Sequence, residues 1–181
     1  QHLELCRDIA QRFNSDFNAP DFLKPPEPLI QKYFSRIMSL KDGTKKMSKS
    51  DLSDLSRINL TDDNDLIVNK IRKAKTDSKP MPNTEDSLEK RPEAENLLGV
   101  YSSLSNQDLK KTIKDFSGKN FSEFKEKLSE LLVQKIGPIS KEIRKLLNDQ
   151  KYLDNILFEG SSKADRISSK KIKEMKELIG F

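Results

Sequence analysis

Lysine and hydroxyl side chains are concentrated in one short segment, LKDGTKKMSKSDLSD (Leu40–Asp54). The seven residues from Thr44 to Ser50 include three lysines and three serine or threonine residues, and Met47 is the only apolar residue among them. Ammonium groups interleaved with hydroxyl and free backbone N–H donors suit phosphate oxygens, because lysine supplies charge and the other donors supply direction. The segment therefore predicts a cationic loop able to bind a polyphosphate. A solvated run of surface lysines is the simpler alternative.

The neighbouring sequence favours a ligand-binding loop. SRIMSL (Ser35–Leu40) alternates polar and apolar residues as a strand does, and a helical pattern begins at Thr61. Ligand loops of α/β folds lie beyond the carboxyl ends of strands. Gly43 is expected to give this loop the freedom to move over a ligand. The segment is not a Walker P-loop, since the glycines of G-x-x-x-x-G-K-[ST] are missing.

Composition favours a globular intracellular protein. The 181 residues suffice for one large or two small domains, and with 34% hydrophobic and 35% charged residues the core must be small. The sequence has neither the ~20-residue apolar run of a membrane span nor a signal-peptide pattern. Cys6 is the only cysteine, which fits a reducing compartment. The net charge of +5 is compatible with a nucleic-acid partner without requiring one.

The first residues already follow a helical pattern, with an apolar stripe at Leu3, Cys6, Ile9, Ala10 and Phe13. Because the chain opens within this pattern and without a methionine, we expect it to be the C-terminal part of a longer protein. Cys6 is predicted to be a small core residue. His2, the only histidine, is predicted to lie on a helix face rather than to bind a metal. Prolines then end the helix, and a short extended piece is predicted at Pro28–Ile30.

From Thr61 onward the apolar periodicity predicts only helices. Thr61 is the expected N-cap of the first, with acidic residues in its first turn and basic residues at its end. Its apolar stripe is Ile67, Ile71 and Ala74. The later apolar stripes lie at Leu97–Leu104, Leu109–Phe116, Phe121–Leu132, Ile139–Leu147, Leu153–Gly160 and Ala164–Ile179, with a break or kink at Gly137-Pro138. The predicted fold class is mostly α, with a small α/β remnant before a compact antiparallel helical bundle.

KMSKS (Lys46–Ser50) is identical to the signature loop of class I aminoacyl-tRNA synthetases. The stretches QHLELCRDIAQRFN, SRIMSLKDGTKKMSKSD, INLTDDNDLIVNKIRKAKTDS and RPEAENLLGVYSSLS resemble the bacterial-type tryptophanyl-tRNA synthetases, in matching order and spacing from Gln1 to Phe181. The tyrosyl enzymes are the nearest family by fold, yet these stretches resemble the tryptophan branch. The chain departs from many relatives at Leu52, where they have proline, and it lacks the Tyr-Asp turn of some relatives in Lys79–Arg91.

The resemblance implies two domains. Residues 1–58 would be the C-terminal part of a class I Rossmann catalytic domain with the KMSKS loop, and residues 59–181 a helical anticodon-binding domain. The His-Ile-Gly-His-type motif and the tryptophan pocket belong to an upstream Rossmann half that the chain lacks. We therefore expect the chain to be inactive alone.

The resemblance also implies a tryptophan–tRNA ligase reaction, in which ATP activates L-tryptophan to tryptophanyl-adenylate before transfer to tRNA(Trp). Lys46 and Lys49 would be catalytic, gripping the β- and γ-phosphates as pyrophosphate leaves. Ser48 and Ser50 would add hydrogen bonds, and Met47 would pack near the adenine. Mg²⁺ is expected as the companion of ATP rather than in a dedicated protein site.

Ile37 resembles a position that contributes to the ATP pocket of the family. An ordinary strand residue in the core is an equally open interpretation of the pattern. Arg144, Tyr152 and Arg166 could contact RNA, but none is identified as an anticodon reader.

The implied partners are tRNA(Trp), L-tryptophan, ATP and a second copy bound through the missing half, with no membrane. The expected location is the cytoplasm, and the mitochondrial matrix is the alternative. A stand-alone basic helical RNA-binding module, whose lysine loop only touches phosphate backbones, is the rival function. A helical bundle without any ligand is a third.

Overall fold

The computed structural model describes residues 1–29 and 35–181, and within them the protein is mostly helical. The six α-helices are α1 (His2–Asp16), α2 (Asn64–Lys73), α3 (Pro92–Ser105), α4 (Leu109–Phe116), α5 (Phe121–Leu147) and α6 (Gln150–Ile179). Asp54–Ser56 and Asp86–Leu88 form single 3₁₀ turns. Within the described ranges, the β pairing consists of one isolated antiparallel bridge between Met38 and Lys46. The mostly α fold class is confirmed, and the predicted strand at Ser35–Leu40 is reduced to this bridge.

The chain forms two compact units. One contains Gln1–Ile30 and Asp149–Phe181, with α1 and α6, and the other contains Gln31–Asn148, with α2 to α5. This grouping differs from the boundary between residues 58 and 59, which stays a prediction. The extended piece expected at Pro28–Ile30 ends outside the described residues.

The second unit is built around one apolar core to which α2, α3, α4 and α5 all contribute. The predicted stripe residue Ile67 of α2 is fully buried, as are Leu98 of α3 and Phe124 of α5. Aromatic edges meet ring faces inside it, with 4.8 Å between the ring centroids of Phe116 and Phe124. The apolar periodicity predicted this packing, since residues three and four apart lie on one face of a helix.

The N-cap of α2 differs from the prediction. Asp63, not Thr61, lies at this position, and its carboxylate accepts a hydrogen bond from Leu66 N at 2.8 Å. The helix begins later because the preceding Asp62 is buried and its carboxylate is bound to the side chain of Lys70. Asp62, one of the acidic residues predicted only to favour the helix dipole, is therefore part of the interior.

Helix α5 continues through Gly137-Pro138, so of the predicted break or kink the break is wrong. Proline removes one backbone hydrogen bond, but the packing of α5 against the start of α2 holds the helix together. The hydroxyl of Ser140 donates to the carbonyl of Asp62 at 2.7 Å. A Cβ atom on residue 137 would lie 2.7 Å from Asn64 Oδ1, so Gly137 lets the two helices approach.

In the first unit, α6 runs uninterrupted past Gly160, and the separate helices predicted there are wrong. The helix ends instead at Gly180, whose φ of 88° is a left-handed helix stop. The side-chain amide of Asn14 on α1 pairs with the backbone of Leu23 on both sides, since Nδ2 donates to Leu23 O and Oδ1 accepts from Leu23 N, each at 2.8 Å. Lys171 of α6 lies over the ring of Phe22, with 3.5 Å from Nζ to the centroid.

Large apolar side chains remain exposed on both helices of this unit. Only Ala10 of the predicted α1 stripe is buried, and Cys6 is exposed, so its assignment to a core is wrong. On α6, Phe158 and Ile167 are 74% and 76% exposed. No helix among the described residues combines the length and apolarity needed to cross a bilayer.

Candidate functional site

The lysine-rich segment folds as a short hairpin, here called the lysine hairpin (residues 37–47). Its two limbs are joined by the Met38–Lys46 bridge, by a hydrogen bond of 2.8 Å from Ser39 N to Lys45 O, and by one of 3.0 Å from Met47 N to Ile37 O. The backbone of the KMSKS sequence therefore starts in a paired strand-like limb.

The turn of the hairpin rests on the N-terminus of α3. Asp42 closes it by accepting hydrogen bonds from Thr44 N and Oγ1, and these bonds hold the pKa of the Asp42 carboxyl below its ordinary value. Gly43 is buried, and a Cβ atom there would lie 2.6 Å from Glu93 N. The structure thus gives a different reason for this glycine than freedom to move, because a side chain would prevent close contact with α3.

The outer edge of the first limb is paired with the helical part of the unit. Asn96 of α3 donates from Nδ2 to Met38 O and accepts from Met38 N at Oδ1, both at 2.9 Å. Two residues further along the same limb, Leu40 N donates to Ser56 O at 2.9 Å, and Lys75 N donates to Leu40 O at 2.7 Å. Sequence reasoning missed Asn96. No pattern signal marks it, because Asn96 follows Glu95 and stands just before the first apolar pair of α3, Leu97-Leu98.

The chain after the hairpin, here called the loop tip (residues 48–53), is held mainly by its own backbone and by Arg57. The hydroxyls of Ser48 and Ser50 lie 2.9 Å apart. Arg57 Nη1 donates to Asp51 O at 3.1 Å, which fixes the descending side of the tip.

A buried ammonium group anchors the far end of the tip. Lys70 of α2 is fully buried and contacts Asp54 Oδ2 at 2.7 Å and Asp62 Oδ2 at 2.6 Å. The hydrogen bond from Lys70 holds the pKa of Asp54 below its ordinary value. Lys70 was predicted only as a favourable charge near the end of α2, whereas the structure makes it the support of the segment that follows the loop.

The predicted site residues lie together on the hairpin and its tip. Lys46, Ser48, Lys49 and Ser50 are exposed. Neither lysine makes an ion pair with a carboxylate of the described part of the chain. Met47 is partly buried against the core of the second unit. Ile37 is 46% exposed and lies outside the buried core of this unit.

This arrangement combines a hairpin bonded to α3 and a following segment bonded to α2 with cations and hydroxyls at residues 46–50 that are exposed to solvent. These groups can bind an anion with several oxygens without first breaking internal ion pairs. Residues 1–29 and 35–181 contain no cluster of three or more His, Cys, Asp or Glu side chains arranged to hold a metal ion.

A family model described as tRNA synthetases class I (W and Y) matches residues 1–136. The chain belongs to this family. The hairpin that carries KMSKS, its supports on α3 and α2, and α1 all lie within the matched range.

Relatives extend the likeness over the whole chain. A tryptophan–tRNA ligase of Caulobacter vibrioides is 49% identical over 181 residues, and one of Rickettsia conorii is 50% identical, each matching 100% of this chain and 53% and 54% of the relative. The chain spans about half the length of the curated relatives it matches. The resemblance to the tryptophan branch is confirmed.

Solved structures give the same fold. The crystal structure of tryptophanyl-tRNA synthetase from Mycoplasma pneumoniae superposes with a TM-score of 0.82 at 28% identity, covering 99% of this chain and 53% of that one. A structure from Campylobacter jejuni complexed with ADP and tryptophan has a TM-score of 0.66 at 22% identity, with 99% and 54% covered.

Proposed function

We propose that this chain is the C-terminal half of a tryptophan–tRNA ligase, which activates L-tryptophan with ATP and transfers it to tRNA(Trp). The observation that carries the proposal is that KMSKS spans the end of the lysine hairpin and the start of the loop tip, where it presents two lysines free of carboxylates in the described chain. The hairpin is bonded to α3, and the segment after the tip is bonded to Lys70 of α2. The names of the relatives and the extent of their likeness support the choice of amino acid.

In this proposal the chain supplies charge and position to the adenylation step. Attack of the tryptophan carboxylate on the α-phosphate of ATP releases pyrophosphate, and the negative charge that develops on the β- and γ-phosphates is stabilised by Lys46 and Lys49. Ser48 and Ser50 donate hydrogen bonds to the same oxygens. The exposed side chain of Ile37 lies at the base of the hairpin, where it can contact the nucleotide.

Met47 packs against the core in this structure, so its proposed contact with adenine requires its side chain to leave that core. Mg²⁺ would arrive with ATP and be held by phosphate oxygens and water, as is usual for nucleotide-bound magnesium.

The helical part is proposed to bind tRNA through its basic surface. Residues 110–181 contain 17 Lys and Arg against 11 Asp and Glu. Arg144, Tyr152 and Arg166 remain candidates for RNA contact. Dimerisation through the region that this chain does not contain and the cytoplasmic location both stay predictions.

The test is ATP–pyrophosphate exchange on the complete polypeptide that contains this chain, with each of the twenty amino acids in turn. We expect exchange with tryptophan alone. Exchange with tyrosine but not tryptophan would contradict the amino-acid assignment. No exchange with any amino acid, together with binding of RNA, would favour the stand-alone RNA-binding module instead.

A further inference from the structure

The side-chain amide of Asn96 lies in the place of a missing third strand. It is 2% exposed, and its two hydrogen bonds of 2.9 Å to Met38 N and Met38 O reproduce the pairing that a neighbouring strand would give. The opposite residue on the second limb is Lys46, joined to Met38 by the antiparallel bridge. The amide of Asn96 and the backbone of a proposed catalytic lysine are thus separated by a single residue.

The same face of α3 also fixes the turn of the hairpin. Glu93 lies three residues before Asn96, so both point to the same side of the helix. The backbone at Glu93 contacts Gly43, and the Glu93 carboxylate binds Lys75 Nζ at 2.7 Å. Lys75 in turn donates its N–H to Leu40 O. The hairpin is therefore fixed on α3 at two points, Met38 and Gly43. The loop tip (residues 48–53) extends beyond both.

We propose that Asn96 is a positioning residue for adenylate formation: its amide sets the position of the hairpin, and through the Met38–Lys46 bridge it places the loop lysines for the transition state. This inference rests on the proposed function. It assigns to a helix of the second unit an indirect part in the phosphate chemistry, exerted through the position of the hairpin. Displacing a catalytic group by about 1 Å can cost roughly 10²-fold in rate, so loss of this pairing is expected to be visible in kcat.

Asn14 provides a matched control within the same chain. It also lies on a helix and pairs its amide with both backbone groups of one residue, Leu23. It does so in the first unit, and neither of these two hydrogen bonds involves the hairpin. The change of Asn to Asp keeps the size of either side chain and removes the donor to the paired carbonyl. It tests the same bond in both places.

The experiment measures tryptophan-dependent ATP–pyrophosphate exchange in the complete polypeptide for Asn96→Asp, Asn14→Asp and Lys46→Ala, and for the double variant Asn96→Asp/Lys46→Ala. We expect Asn96→Asp to lower kcat by about tenfold or more with little change in KM for tryptophan. Asn14→Asp should stay within about twofold of the parent. Asn96→Asp should have a smaller further effect once Lys46 is absent, because only Lys49 then remains to be displaced.

Equal effects of the two Asn variants on kcat, or an undiminished effect of Asn96→Asp in the Lys46→Ala protein, would overturn the proposal, because a merely structural loss acts in either background. If Asn96→Asp does not fold, as its melting curve would show, Asn96→Ser makes the same measurement without a buried charge. The results that would support or overturn the proposal for Asn96→Asp then apply to Asn96→Ser.

Amide hydrogen exchange separates the failure of this inference from the failure of the proposed function. Asn96→Asp should speed exchange at Met47 N–H, which is bonded to Ile37 O, while the amides of α5 stay protected. If the parent protein shows no ATP–pyrophosphate exchange with tryptophan, the proposed function fails. The local change in hydrogen exchange at Met47 N–H still decides whether Asn96 positions the hairpin. If Asn96→Asp changed the hydrogen-exchange rates of amides along the whole chain to the same extent as that of Met47, the role of Asn96 would be refuted.

Discussion

At the scale of single residues, the two lysines of the loop differ from the lysine beside them in what they contact. The ammonium of Lys45 lies 3.5 Å from Asp42 within the turn. Lys46 and Lys49 are exposed and make no ion pair with the described residues. Lys46 and Lys49 can therefore bind a phosphate without competition from a fixed carboxylate.

Lys49→Ala should lower tryptophan-dependent pyrophosphate exchange of the complete polypeptide by about 10²-fold, because one well-placed cation is worth a few kcal/mol at the transition state. The thermal midpoint should not change, since the side chain is exposed. Lys45→Ala is the control and should have a much smaller effect. A rate for Lys49→Ala equal to that of the parent would remove Lys49 from the mechanism.

Gly43 provides a prediction about packing. Gly43→Ala should reduce the free energy of unfolding by about 1–3 kcal/mol, because the new methyl group would overlap the backbone at the start of α3. Gly160→Ala is the matched control. Apart from the adjacent backbone of α6 itself, no atom lies within 4 Å of the added methyl, so alanine there should stabilise by about 0.5–1 kcal/mol. Chemical denaturation of both variants checks the pair, and a neutral Gly43→Ala would show that the hairpin does not need this contact.

At the scale of helices, the buried Lys70 links α2 to the segment that follows the loop tip. Removing Lys70 leaves the buried carboxylate of Asp62 desolvated and uncompensated, whereas the half-exposed Asp54 can be solvated by water. Lys70→Met should therefore reduce the free energy of unfolding by about 3–5 kcal/mol, whereas Lys127→Met, which removes an exposed pair with Glu130, should change it little. Equal denaturation midpoints for the two variants would show that Lys70 does not support the fold.

The same contact makes stability depend on pH. The pKa of Asp54 is lower in the folded protein than its ordinary value of 3.8, chiefly because Lys70 donates a hydrogen bond to it. Its contribution is therefore fully present above the unfolded pKa and is lost as the pH falls through the folded one. Unfolding curves measured from about pH 5 down to about pH 2 should show a smaller loss of stability for Asp54→Asn than for the parent. If the parent and Asp54→Asn lost stability equally as the pH fell, Asp54 would not be the group responsible for this pH dependence.

Local pattern was sufficient to predict the helices but not their ends or their polar partners. The stripe of Ile67 and Ile71 fixed α2 because three-residue and four-residue spacing is visible in the sequence. Pro138 did not end α5, because contacts with α2, a helix far away in sequence, outweigh one lost backbone hydrogen bond. Periodicity does not show such contacts in advance.

The loop itself was predicted from residue types, whereas its supports were not. The density of lysine and hydroxyl groups pointed to residues 44–50, and the resemblance of KMSKS to a family signature narrowed the prediction to residues 46–50. Asn96 and Lys70 lie on helices distant in sequence, and each would be an ordinary surface residue by pattern. Their roles follow only from the fold, which brings them against backbone groups and carboxylates near the loop.

At the scale of the whole molecule, the chain contains one side of the proposed active site. The lysine hairpin is complete, but the chain spans about half the length of its relatives. The residues that select tryptophan are expected in the other half.

Residues 1–181 alone should therefore show no tryptophan-dependent pyrophosphate exchange, while the complete polypeptide under the same conditions should be active. A circular-dichroism spectrum should show that the isolated chain is helical, so that inactivity is not a failure to fold. Measurable activation of tryptophan by the isolated chain would contradict the division of the site between two halves.

The exposed apolar side chains on α1 and α6 have a practical consequence. Contiguous apolar surface promotes association or aggregation unless another surface covers it. Leu3, Leu5 and Ile9 lie close together in sequence on α1, and Leu157 and Phe158 are adjacent on α6. A preparation of this chain by itself should bind hydrophobic dyes and precipitate on concentration, and co-expression with a polypeptide that covers these helices should keep it in solution.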